Sequence, residues 1–195
     1  VPAVAGISFY NGTLSIRLDN QGGTLTVSGA NATNPSNFKL AFTPLGGAAQ
    51  TIGNASGYNV TNAINITGGN GADTVAFAPQ AAAAYRIPGN LSVNLGNGND
   101  TITALAGNDI ICAGRGNDTV HGGLNNDTIY GGAGNDTLDG RVGADIVYGG
   151  AGNDRIYVDN SGDQVFEAAG EGSSDYVYAN ASYTLAAGVE VEFFY

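Results

Sequence analysis

Cysteine, histidine, methionine and tryptophan are nearly missing from this 195-residue chain, which has one Cys, one His, no Met and no Trp. The single Cys112 excludes an internal disulfide framework, and no Cys/His cluster offers a site for a soft transition metal. There is no His-Glu-x-x-His, no Gly-x-Ser-x-Gly and no suggestive Cys–His pair. No catalytic constellation can be assembled from what remains, and a non-enzymatic protein is expected. Basic residues number only six, scattered, against 17 acidic ones, for a net charge of −11. That balance argues against nucleic acid or an anionic membrane surface as a partner. No apolar run approaches the ~20 residues of a membrane-spanning helix, so no transmembrane segment is expected. At 12% charged residues the chain is not a charge-rich disordered segment either. Val1 follows no Met, and no charged-then-apolar leader is present, which suggests a processed product or a piece of something longer.

What the chain has is glycine, 32 residues of it, and a strict period. Asp100, Asp109, Asp118, Asp127, Asp136, Asp145, Asp154 and Asp163 lie nine residues apart, each closing a Gly- or Asn-rich turn. Two residues after each comes an aliphatic one: Ile102, Ile111, Val120, Ile129, Leu138, Val147, Ile156 and Val165. Such a period implies a stacked repeat. Glycine, and less often Asn, tolerates the positive φ of a tight turn. The seventh position is often Thr and the eighth always aliphatic, which suits a short strand with one inward residue.

One nonapeptide then makes one turn and one strand, and two close a coil. Asp100, Asp118, Asp136 and Asp154 should line one side of the coil stack, and Asp109, Asp127, Asp145 and Asp163 the other. With strands about 4.8 Å apart, two bare carboxylates repel by roughly 3.5 kcal/mol at an effective dielectric near 20. The ladder therefore calls for cations. Carboxylates with turn carbonyls make an all-oxygen donor set, which suits calcium better than the stricter magnesium. The alternative is a metal-free β-helix in which Asp and Asn only shape turns.

The unit is clearest in Gly131-Gly-Ala-Gly-Asn-Asp-Thr-Leu-Asp139 and Gly149-Gly-Ala-Gly-Asn-Asp-Arg-Ile-Tyr157. It resembles the RTX (repeats-in-toxin, haemolysin-type) nonapeptide Gly-Gly-x-Gly-x-Asp-x-aliphatic-x, a calcium-binding β-helix repeat. The resemblance runs continuously over 95–166, with an isolated copy at Gly68–Ala76. It implies an all-β fold, a right-handed parallel β-roll or β-helix solenoid holding several calcium ions, about six. The candidate ligands are Asp73, Asp100, Asp109, Asp118, Asp127, Asp136, Asp145, Asp154 and Asp163, with the turn backbone at Gly96, Gly98, Gly114, Gly116, Gly123, Gly132, Gly134, Gly150 and Gly152. The second side is less regular: Leu105, Arg141 and Asp159 replace one glycine, Asn125 and Ser161 another, and Arg141 brings a cation near the expected ion.

The chain divides into a β-rich segment 1–67 (calcium-free coils or a cap), the RTX β-roll 68–166 and a C-terminal cap 167–195. Thr13–Leu18, Thr24–Val27 and Phe38–Phe42 read as strands and Asp19–Gly23 as a turn, while Ala48–Tyr58 reads as loop. Counting back in nines from Ile102 gives Val93, Ala84, Val75 and Ile66 as inward positions, with Leu91–Asn94 a coil strand and Arg86–Asn90 a turn without ligands. Pro79–Tyr85 is a helical turn or a bulging loop. A continuous solenoid is expected rather than two domains. After Asp163, Gly162–Glu167, Gly170–Asp175 and Ser182–Leu185 resemble the segment that often closes RTX arrays, since terminal coils must cover the last open core. The final Val189–Tyr195 resembles some type I secretion signals, or is simply a terminal strand.

Outward at the ninth position on the second side stand Cys112, Tyr130, Tyr148 and Phe166, either an aromatic ladder between strands or a glycan- or partner-binding stripe. His121 is expected to be merely solvated. The whole reads as an extracellular calcium-binding structural module of a surface layer or other assembly, secreted or at the cell surface of a bacterium using type I secretion. Its partners would be calcium and copies of itself or the rest of a parent protein. The alternatives are a C-terminal export and folding module of a secreted enzyme or toxin, and an adhesin.

Overall fold

The computed structural model describes residues 4–10, 13–18, 23–29, 38–44, 50–54, 63–77, 90–104, 106–167, 172–186, 189 and 191–195. Among these residues the regular structure is all β. The strands of the first third are β1 (Val4–Tyr10), β2 (Thr13–Leu18), β3 (Gly23–Gly29), β4 (Phe38–Pro44), β5 (Gln50–Asn54), β6 (Ala63–Thr67) and β7 (Asp73–Phe77). The array contributes β8 (Asn90–Asn97), β9 (Thr101–Thr103), β10 (Ile110–Arg115), β11 (Thr119–Leu124), β12 (Thr128–Ala133), β13 (Thr137–Val142), β14 (Ile146–Ala151) and β15 (Arg155–Val158). It closes with β16 (Gln164–Phe166), β17 (Tyr176–Ala179) and β18 (Phe193–Phe194).

Successive array strands alternate between two sheets. One runs β1-β2-β6-β8-β10-β12-β14-β16 and the other β18-β17-β15-β13-β11-β9-β7-β3-β4-β5. Array neighbours are parallel and shifted by 18 residues, as in Ile111↔Ile129 and Val120↔Leu138. This is a β-solenoid, as the nine-residue period requires. All eight predicted inward residues are buried, and with Val93, Val75 and Ile66 they form one continuous core. Each array strand gives the aliphatic residue of the period to that core, β8, β10 and β15 add Leu91 and Leu95, Ala113 and Val158, and alternation puts the residues between on the outer faces.

β2 and β3 extend the two sheets through parallel pairing with β6 and β7, not with each other. β1 adds to β2 antiparallel, and β4 and β5 add antiparallel beyond β3. The expected loop from Ala48 to Tyr58 is thus partly a strand, β5, made by backbone pairing with β4 despite its weak propensity. One coil is longer than the count in nines shows. Val75 lies beside Ile102 and Ile66 beside Val93, both 27 residues apart. This coil is therefore nine residues longer than the 18-residue coils of the array. Ala84, Pro79–Tyr85, most of the 86–90 turn and the 19–22 turn lie outside the described residues.

At the C-terminal end, Tyr183, Leu185, Val189 and Val191 pack against the core. The Tyr183 hydroxyl accepts the Val165 N–H of the edge strand β16 at 3.1 Å.

Candidate metal centre

The turns stack as the strands do, and one atom of every array carboxylate is spent on the stack. Asp100 Oδ1 accepts the N–H of Asp73, Asp118 Oδ1 that of Asp100, Asp136 Oδ1 that of Asp118, and Asp154 Oδ1 that of Asp136, at 2.6–2.8 Å. The opposite side repeats this: Asp109 takes the Leu91 N–H, Asp127 that of Asp109, Asp145 that of Asp127 and Asp163 that of Asp145, at 2.8–2.9 Å. The two predicted rows are therefore present, and Asp73 joins the Asp100 row because its coil is longer.

The other carboxylate oxygen has a different role. Oδ2 of Asp100, Asp109, Asp118, Asp127, Asp136 and Asp145 is buried with no hydrogen-bond partner among the described residues. Burial pushes these carboxyls up, to about 7 at Asp100, Asp127 and Asp136 and about 6 at Asp109 and Asp145, with Asp118 moved the same way. The backbone hydrogen bond opposes the shift, and neighbouring carboxylates reinforce it at Asp100, Asp127, Asp136 and Asp145. A buried anion lacking a partner is costly unless a cation or a proton meets it.

The first glycine of the repeat shapes the space around Oδ2. A Cβ on Gly131 would lie 2.5 Å from the Gly149 carbonyl oxygen and 2.6 Å from Asp136 Oδ2. On the other side, a Cβ on Gly122 would meet Asp127 Oδ2 at 2.5 Å and the Gly140 carbonyl at 2.9 Å. A carboxylate oxygen and a carbonyl oxygen thus face one hollow that any side chain would fill. Such hard, uncharged-plus-charged oxygen donors fit calcium. Consistent with carbonyl-based sites, no group of three or more His, Cys, Asp or Glu side chains comes together among the described residues.

The glycines singled out from sequence share one backbone feature. Gly96, Gly98, Gly114, Gly116, Gly123, Gly132, Gly134, Gly150 and Gly152 all take positive φ. Most sit against a carbonyl of the coil below, as Gly132 does on that of Gly114. They set the turn, while the position-one glycines Gly122, Gly131, Gly140 and Gly149, not selected from sequence, border the carboxylates. On the irregular side, Asn125 (φ 79°) and Arg141 (φ 65°) adopt the same left-handed backbone in place of glycine.

Arg141 gains a partner: its backbone N–H donates to Asp139 Oδ1 at 2.9 Å and its Nε lies 3.7 Å from Asp139 Oδ2. One expectation is corrected. His121 is not simply solvated, for its Nδ1 lies 3.5 Å from Asp139 Oδ2. Burial raises the Asp139 carboxyl, but His121 and Arg141 outweigh it and hold it below the usual carboxylate range. Asp163 also differs from its row, since its Oδ2 accepts the Asn160 N–H at 3.1 Å.

Sequence reasoning missed two further ladders. The fifth-position asparagines form exposed rungs: Asn99 Oδ1 accepts the Asn117 N–H, Asn117 that of Asn135, and Asn135 that of Asn153, at 2.8–2.9 Å. Their signal was the Asn before nearly every array Asp. At the C-terminal end, Asp154 N–H donates to Asp175 Oδ1 at 2.8 Å and Asp175 N–H to Glu192 Oε2 at 2.7 Å. Those residues lie off the nine-residue period, so the closing segment Gly170–Asp175 could be recognised but not this pairing.

The predicted stripe on the eight-stranded sheet is a true ladder. Tyr130 stacks on Tyr148, and Tyr148 on Phe166, with ring centroids 4.7 Å apart and planes within 15°. The faces cover one another, so a sugar could lie flat only on a terminal ring. This favours the structural role of the stripe. A second aromatic cluster, Tyr157, Tyr176, Tyr178, Phe193 and Tyr195, covers the end of the other sheet, with Arg155 over Tyr176 at 5.7 Å.

Residues 93–120 and 121–156 match the family of the RTX calcium-binding nonapeptide repeat, in four copies. The match covers about a third of the chain and falls within the nine-residue array. No curated protein and no solved structure matches the chain. No described helix is long and apolar enough to cross a membrane.

Proposed function

We propose that this chain is an extracellular structural module whose folding is coupled to calcium. Ions would be held beside the position-one glycines by Asp Oδ2 and turn carbonyls, on both sides of the roll, with Asp100 through Asp136 in one row and Asp109 through Asp145 in the other, and Asp73 and Asp154 flanking the first row. The observation that carries this reading is the set of buried Oδ2 atoms facing hollows shared with carbonyl oxygens. When bound, calcium supplies positive charge where the fold has buried negative charge. The protein's part is to present oxygens, exclude side chains from the hollows and hold each carboxylate through its Oδ1 bond. Residues 1–67 serve as calcium-free coils and edge, 68–166 as the ion-binding roll, and 167–195 as the cap. With both carboxylate rows committed to the stack, the module is read as non-enzymatic.

Sites of modest affinity would fill outside cells, where calcium is abundant. Copies of the chain, or the rest of a parent protein, would meet the open strand edges at the ends of the two sheets. Circular dichroism tests the calcium reading. Excess chelator should remove β signal that millimolar calcium restores, and an unchanged spectrum and melting temperature would count against it. The second reading, an export and folding module of a larger secreted protein, is supported by the end cap built on Tyr183 and Glu192. It predicts that this cap is needed for folding when the chain is fused behind another domain.

A further inference from the structure

Eleven of the 22 asparagines are followed two residues later by Ser or Thr, with no Pro between. Ser and Thr together make up 25 of the 195 residues, so chance would give about three such triplets. Four, at Asn99, Asn117, Asn126 and Asn135, are Asn-Asp-Thr triplets that the nonapeptide itself generates. The other seven have no such origin and still exceed the chance number. This triplet is the acceptor for N-linked glycans.

The structure separates the seven. Asn90 opens β8 and is exposed, as is Ser92 two residues on. Its Oδ1 accepts the Asn108 N–H at 3.1 Å, so the ladder engages the amide through its oxygen. Asn180 lies exposed in the bend after β17, with Ser182 also exposed, and its N–H is tethered to the Val158 carbonyl at 2.9 Å. Asn65 is half-buried in mid-strand between Ser15 and Ser92 and is not assigned. Asn54 ends β5, and Asn11, Asn31 and Asn59 lie outside the described residues.

We propose that Asn90 and Asn180 are acceptor sites for an N-linked glycan. Nδ2 forms a bond to the anomeric carbon of a sugar activated as a phosphate or diphosphate ester. The phosphate-bearing group leaves with the bonding electron pair, and the amide proton passes to a base of the transferring enzyme. Oδ1 is not consumed, so Asn90 keeps its rung to Asn108 after modification. The array triplets are placed differently. Asn99, Asn117 and Asn135 stand on successive coils, about 4.8 Å apart, too close for neighbouring rungs to carry sugars side by side. The inference does not rest on calcium binding.

Glycopeptide mapping of the full chain, isolated from the cells that naturally make it, tests this. Peptides containing Asn90 and Asn180 should carry sugar mass, and amidase release in heavy-oxygen water should convert both to labelled Asp. Ser92→Ala and Ser182→Ala remove the triplet without touching Asn90 or Asn180, and each should erase one sugar while the calcium-dependent β signal stays. Unmodified Asn90 and Asn180, or sugar confined to the array triplets, overturns the proposal.

Discussion

Without calcium, acid should stabilise the fold. Asp100, Asp127 and Asp136 are pushed up to about 7 and Asp109 and Asp145 to about 6, chiefly by burial. In the unfolded chain each would titrate near the ordinary carboxylate value, about 3.9. A carboxyl raised in the folded state contributes stability that is fully present below its unfolded value and lost as pH rises through the folded value. From pH 8 down to pH 5 the folded state therefore takes up protons that the unfolded state does not. Taken at face value, the five shifts give about 10 kcal/mol over that span. Solvent screening at the edge of a narrow roll reduces this to on the order of 4 kcal/mol. For a chain of this size that corresponds to a melting temperature about 10 °C higher, or to recovery of β signal if the chelated protein is unfolded at pH 8. The assay is thermal unfolding by circular dichroism in excess chelator at the two pH values. In saturating calcium the sign should reverse, because protons compete with the ion for the same oxygens. A chelated protein that melts lower at pH 5 than at pH 8 would refute the reasoning, for it would mean that the carboxylates have cationic or hydrogen-bonding partners of their own.

Asp136→Ala should lower calcium affinity more than Asp145→Ala, by about tenfold or 1.4 kcal/mol, because the Gly131 hollow is bounded by the Gly149 carbonyl whereas the Val158 carbonyl, one coil above Gly140, accepts the Asn180 N–H at 2.9 Å; calorimetric titration of both variants decides. Gly131→Ala places a methyl against Gly149 O and Asp136 Oδ2 and should cost about 1–3 kcal/mol in calcium, measured by thermal melts, while Ala133→Ser on the exposed turn should be near neutral. Arg141→Gly relieves a left-handed backbone at the loss of a surface ion pair, and should raise stability by about 1 kcal/mol in denaturant melts. Glu192→Ala leaves the Asp175 N–H without its acceptor and should lower stability by about 1–2 kcal/mol, with Glu192→Gln restoring most of it.

The solenoid could be read from the sequence because one physical rule repeats without interruption. Each strand buries an aliphatic residue at the same position of the repeat, from Ile102 to Val165, and each turn needs residues that tolerate positive φ. The period also placed the two carboxylate rows. It did not reveal what each carboxylate oxygen does, since the Oδ1 bond joins residues 18 apart through backbone N–H groups that carry no sequence signal. Position-one glycines were passed over for a related reason: a glycine needed for empty space looks the same in sequence as one needed for φ. Counting in nines did not reveal that the coil between Val75 and Ile102 is 27 residues long, because the period cannot say whether nine residues add a rung or lengthen a coil. β5 was missed because edge pairing with β4, not local propensity, makes it a strand. The Arg141–Asp139 pair was not legible because nothing in the repeat says that an arginine can take the glycine conformation there while its side chain meets Asp139. Asp175 and Glu192 fall outside the period because an end cap must differ from the coils it covers.

The most direct test of calcium-coupled folding is native mass spectrometry of the full chain, titrated with calcium and paired with the β signal at each step. The account predicts uptake of several ions, about six, rising together with β structure, and a return to the ion-free, less ordered chain on chelation. A chain that shows full β structure with no ion bound at neutral pH, and that takes up at most one on titration, would contradict it.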